Sequence, residues 1–79
     1  MKMEILIVSE RTTEMRKVAV NVIPRHGDYL DIMYFPFPQV SKVVLLPSTD
    51  TLAKLDPECK ILSPEERTYI EAIVLVNHT

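Results

Sequence analysis

Apolar residues recur along this chain in short runs and in strict alternation, the two patterns that mark β-strands. Segment 3–8 is apolar apart from Glu4 and lies between Lys2 and the polar run Ser9-Glu10-Arg11-Thr12-Thr13-Glu14. Its length suits a strand covered on both faces or set in a barrel wall, and the pattern predicts strand one over 2–8. Over 16–23, Val18, Val20 and Val22 fall on one side and Lys17, Ala19 and Asn21 on the other. That alternation predicts a second strand, paired antiparallel with the first through the polar link. Pro24-Arg25-His26-Gly27-Asp28 carries the densest turn chemistry, after which Leu30, Ile32 and Tyr34 alternate and predict a third strand over 29–34. Phe35-Pro36-Phe37-Pro38 lacks two donors at alternate positions and reads as a loop or an unpaired edge. A fourth strand is predicted over 40–46, closed by Pro47-Ser48.

The remaining third is less regular. Residues 48–60 are polar with Leu52, Ala53 and Leu55 interspersed, which fits a loop holding at most one helical turn before Pro57. Ser63-Pro64-Glu65-Glu66 has the spacing of a capping box with proline at the first helical position. Against a helix there, Ile70, Ala72, Val74 and Val76 alternate within a β-branched run. The reading adopted is a turn at 63–66 and a strand over 67–76, with a C-terminal helix in an α+β fold as the alternative.

Composition supports strands. Val, Ile and Thr number 22 against 11 for Ala and Leu, and β-branched side chains pack well on a pleated surface while losing rotamer freedom in a helix. The single glycine, Gly27, is the one position open to positive φ without steric cost, so it marks the tightest turn. The 79 residues, 47% of them hydrophobic, suffice for one domain spanning 1–79. The expected class is mainly β: a small SH3-like barrel or strongly bent antiparallel sheet of about five strands. No apolar stretch reaches the length of a membrane span, and Lys2 and Glu4 interrupt a signal-peptide core, so the expectation is an unprocessed cytoplasmic chain without membrane contact. Cys59 stands alone, which excludes an intramolecular disulfide and a cysteine-based zinc site.

The pattern Pro24-Arg25-x-Gly27-Asp28-x-Leu30 followed by Val40-x-x-Val43-Val44 is similar to one found in short hypothetical proteins of bacteria and phages that look like small SH3-like β-barrels. The resemblance covers residues 24–46 and consists of a turn and two strands. It implies a barrel fold and a phage or mobile-element setting, and it carries no catalytic residue with it.

Candidate chemistry is sparse. His26, Asp28 and Cys59 are the one conceivable metal set, and they read instead as an exposed turn residue, a backbone-bonding turn aspartate and a small filler. Glu65-Glu66 reads as a solvated element end, and one glycine cannot make a phosphate loop. No catalytic residue, cofactor or metal is expected. Nucleic-acid binding would rest on Arg16, Lys17 and Arg25, but residues 1–40 hold five basic and five acidic side chains and 41–79 hold four and six, a balance that disfavours it. Four of the five aromatics, Tyr29, Tyr34, Phe35 and Phe37, fall within nine residues. Tyr34, Phe35 and Phe37 are therefore the candidate partner-binding residues, with core packing as the competing role. The function expected is a non-catalytic protein-interaction module, able to self-associate as a homodimer through exposed edges at 2–8 or near 34–38. A nucleic-acid-binding barrel is the alternative, and a ligand-binding or enzymatic accessory domain the third reading.

Overall fold

A computed structural model of the chain describes residues 2–29 and 38–78. Four strands, β1 (Met3–Ser9), β2 (Met15–Val20), β3 (Pro38–Leu45) and β4 (Ile70–His78), form one sheet in the order β2-β1-β4-β3. A two-turn helix, α1 (Thr49–Leu55), and a 3-10 turn at Glu66–Thr68 lie between β3 and β4. The mainly β class holds. The sheet is mixed and open, with four strands rather than five and no barrel closure among the described residues.

The difference has a physical source in β1. Its residues Ile5 to Ser9 are all buried, as a strand covered on both faces must be. It sits in the centre of the sheet, antiparallel to β2 and parallel to β4, so the expected exposed edge at 2–8 does not exist. The β1–β2 hairpin forms as predicted, Met3 opposite Val20 and Val8 opposite Met15. Its loop is tied by the Ser9 N–H to the Glu14 carbonyl at 2.8 Å and the Thr13 N–H to the Ser9 carbonyl at 2.9 Å. The parallel β1–β4 contact leaves β2 and β3 as the two outer strands of an open sheet.

Alternation divides the core between the two faces. Ile5, Ile7, Ala72, Val74, Val76 and Val40 pack on one, joined by Val18, Val20, Ile23 and Val43. Leu6, Val8, Ile70 and Ile73 pack on the other with Leu52 of α1 and Leu62 of the following loop. The helix was expected to be mostly loop. It forms because the Ser48 hydroxyl accepts the Thr51 N–H at 3.2 Å, Asp50 and Lys54 sit at the favourable ends of the dipole, and Leu52 is fully buried.

At the predicted turn both signals act, each over its own range. The Ser63 N–H donates to Glu66 Oε1 at 3.0 Å and the Glu66 N–H donates to the Ser63 Oγ at 3.1 Å, a reciprocal capping box. It supports one 3-10 turn, after which the β-branched run enters β4. The C-terminal segment is thus a strand, beginning at Ile70 rather than 67.

Tyr29 makes an isolated antiparallel bridge with Gln39; the rest of the predicted third strand, and Phe35-Pro36-Phe37, lie outside the described residues. Gly27 has φ +90 at the predicted turn. Asp28 closes that turn by accepting the Arg25 N–H on its carboxylate at 2.9 Å and donating its own N–H to the Arg25 carbonyl at 3.0 Å. A Cβ at position 27 would meet nothing within 4 Å, so a side chain there costs backbone strain alone. Gly27→Ala is expected to lower stability by about 1 kcal/mol, read from the urea midpoint; an unchanged midpoint would count against a left-handed turn at this position.

Candidate functional site: an exposed apolar strand edge

Among the described residues both outer strands present unpaired backbone, but their chemistry differs. β2 carries Arg16 and Lys17 on adjacent positions, which point to opposite faces. Lys17 pairs with the Glu66 carboxylate. That hydrogen bond, partly opposed by desolvation, raises the Lys17 pKa, and it is also the main cause that lowers Glu66, helped by the Ser63 N–H. Charged side chains of this kind blunt an edge against further pairing.

β3 is protected over only half its length. At its start the Gly27 N–H donates to the Val40 carbonyl and the Val40 N–H donates to the Asp28 carbonyl, each at 2.8 Å. The 25–29 segment thereby covers the edge as far as Val40. Beyond a bulge between Val40 and Lys42, β3 continues as Lys42-Val43-Val44-Leu45. The Leu46 N–H donates to the Glu71 carbonyl at 2.8 Å, and with Val44 opposite Ile73 and Lys42 opposite Leu75 the antiparallel alternation aims the N–H and C=O of Val43 and Leu45 away from β4. Pro47, which has no N–H, ends this open stretch.

Apolar side chains gather on the face of Val43. Leu45 is 64% exposed and Val22 74%, while Leu46, 76% exposed, follows at the end of the strand. Val22, Leu45, Val43 and Met3 line an open groove of about 650 Å³ roofed in part by Pro24 and His26. Such a cluster leaves large apolar area in water, which a partner would remove. The signal that could have found it is the alternation that puts Val43 with Leu45 and Val20 with Val22.

The expected site residues are placed as follows. Tyr34, Phe35 and Phe37 lie outside the described residues. Arg16 lies near the Met15 end of β2, Lys17 on the opposite face against Glu66, and Arg25 in the loop that borders the groove. Met15 stands opposite Val8 and Val20 opposite Met3, so Arg16 is at the far end of β2 from the groove and the three cations are not brought to one surface. Asp28 bonds its local backbone as expected. Cys59 is a half-buried free thiol with φ +55.

Sequence reasoning overlooked Asp56, the buried carboxylate at the end of α1. It accepts the N–H groups of Lys60, Ile61 and Leu62 at 2.9, 3.0 and 2.9 Å. Arg67 Nη2 donates to its carbonyl, and Arg67 Nε is buried with no hydrogen-bond partner among the described residues. Burial pushes the Asp56 carboxyl up, but the three N–H donors and the nearby Arg67 outweigh it and hold the pKa below the usual value. With these three bonds the carboxylate organises the loop that carries Leu62. A second groove of about 500 Å³ passes between Met15 and Ile61 with Glu14, Arg16, Glu58 and Lys60 on its rim. Among the described residues no set of three His, Cys, Asp or Glu side chains converges on a metal-sized site and no helix is long and apolar enough to cross a membrane.

No family model matches the chain, and no curated protein or solved structure matches it either.

Proposed function

We propose that this chain is a non-catalytic protein-interaction module that captures another polypeptide along the open half of β3. What carries the reading is one coincidence: the backbone groups turned outward at Val43 and Leu45 lie beside the exposed apolar side chains of Val22 and Leu45. Backbone pairing supplies affinity in such a complex, and the side-chain groove supplies selectivity. The aromatic residues Tyr34, Phe35 and Phe37, the partner-binding candidates of the sequence, precede β3 directly along the chain. A single free Cys59 suits the reducing cytoplasm in which the module would act.

Photo-crosslinking inside cells tests the assignment. Benzoylphenylalanine placed at position 45 is expected to yield discrete covalent protein adducts, whereas the same group at exposed position 54 on α1 yields few. Equal yields at the two positions, or adducts at 45 that nuclease digestion removes, would defeat the reading, the latter in favour of the nucleic-acid alternative.

A further inference from the structure

We infer that the partner of the β3 edge is a second copy of this chain, joined about a two-fold axis at Val44 so that two sheets become one of eight strands. The inference rests on the interaction-module reading and gives it a specific occupant.

Three observations define the register. Among the described residues pairing is open only from Lys42 to Leu45, because the 25–29 segment occupies the edge at Val40 and the chain leaves the strand at Leu46, with φ +47, just before Pro47. Val43 and Leu45 present the outward backbone groups, so an antiparallel partner must set outward-facing residues opposite outward-facing residues. With the axis at Val44, Val43 meets the partner copy's Leu45 and Leu45 meets its Val43, giving four backbone hydrogen bonds and two apolar cross-strand pairs. Val44 then faces its own copy in a non-hydrogen-bonded pair, the closer of the two spacings. A C2 interface needs this kind of self-complementarity.

Charge supports the same register. Lys42 lies opposite Leu46 of the other copy, and Leu46 is bonded to Glu71 on the strand behind it. Lys42 and Glu71 share the face of Val44 and Ile73 by alternation, two strand spacings or about 10 Å apart across the join. Their side chains span that distance, and neither makes an ion pair among the described residues of a single copy. Two symmetric Lys42–Glu71 pairs would flank the axis. No like charges are set directly opposite. The groove lined by Met3, Val22, Val43 and Leu45 opens on the same face as the two new apolar pairs, so dimerisation shields its exposed rim. The other outer strand, β2, carries Arg16 and Lys17 at two of its six positions.

Light scattering coupled to size exclusion on the full chain reads the mass directly, and a dimer is expected. Leu45→Pro removes a donor to the partner and none to β4, so it is expected to give a monomer with nearly unchanged thermal midpoint. Should that variant lose its fold, Lys42→Glu serves instead: it is expected to weaken the dimer about fivefold, and adding Glu71→Lys to restore it. Under oxidation, Val44→Cys in a Cys59→Ser background is expected to form a covalent dimer, while Leu45→Cys, although more exposed, does not. A monomer at every concentration would overturn the inference, and so would a dimer that forms no disulfide at position 44 and is indifferent to the edge variants. Photo-adducts at position 45 to a different protein, with the chain itself monomeric, would sink the self-pairing while leaving the interaction-module reading intact.

Discussion

Alanine at position 56 is expected to lower the free energy of unfolding by about 3 kcal/mol, because three N–H donors lose a buried acceptor at once. The donors belong to Lys60, Ile61 and Leu62, and the Asp56 side chain is their common partner. Water can reach Lys60, which is exposed, but not Leu62, which is fully buried. The cost therefore falls mainly on the donor that has no replacement. Arg67 adds to it, since its guanidinium is held against the same turn and its charge would lose the carboxylate it faces.

The pH dependence follows with a definite sign. Because the folded-state pKa of Asp56 is lowered, its contribution is fully present above the unfolded carboxylate value near 4, and it is lost as pH falls through the folded value. Urea midpoints measured at pH 7 and below pH 3 should converge between wild type and Asp56→Ala as the solution becomes acidic. Asp56→Asn keeps one acceptor oxygen and the shape of the side chain, so at pH 7 it should fall between the two and show a weaker response to acid. Parallel pH profiles for wild type and Asp56→Ala would show that the carboxylate is not what holds the 56–62 loop.

How much of this was legible in the sequence depends on the range over which each signal acts. Alternation is local, and it located β1, β2, β3 and β4 to within about three residues at each end. The order of strands is not local. Residues 3–8 and 70–76 are both dense in apolar side chains, which fits two central strands as well as two walls of a barrel, and only their parallel pairing decides between them. The helix α1 was underestimated because its signal is a single cap, Ser48, and a single buried residue, Leu52, with no amphipathic repeat to amplify them. Ser63 and Glu66 left a C-terminal helix open as the alternative to the strand, since a capping box specifies how a helix starts and not how far it runs. The candidate edge was hidden for a related reason. Val43 and Leu45 look like core positions in one dimension, and their outward backbone groups become visible only when β3 is known to be an outer strand.

Leu62→Ala should cost about 3 kcal/mol. Leu62 is fully buried beneath the sheet with Leu6, Val8 and Leu52, yet it belongs to no strand or helix. Its position is set by the turn that Asp56 closes, through an N–H bond at 2.9 Å. Hydrophobic burial and polar closure are thus two ends of one arrangement: the bond places the side chain, and the side chain's burial keeps water from the bond. Changes that share an arrangement do not add. The double variant Asp56→Ala, Leu62→Ala should accordingly be more stable than the sum of the single losses implies, by about 1 kcal/mol. Leu46→Ala is the control for leucine removal as such, since that side chain is 76% exposed and its loss should change stability by no more than about 0.5 kcal/mol. Denaturation of wild type, the two single variants and the double variant under one buffer gives the cycle, with Leu46→Ala measured alongside. Strict additivity would mean that the loop keeps its course without Asp56 and that Leu62 finds its place by packing alone.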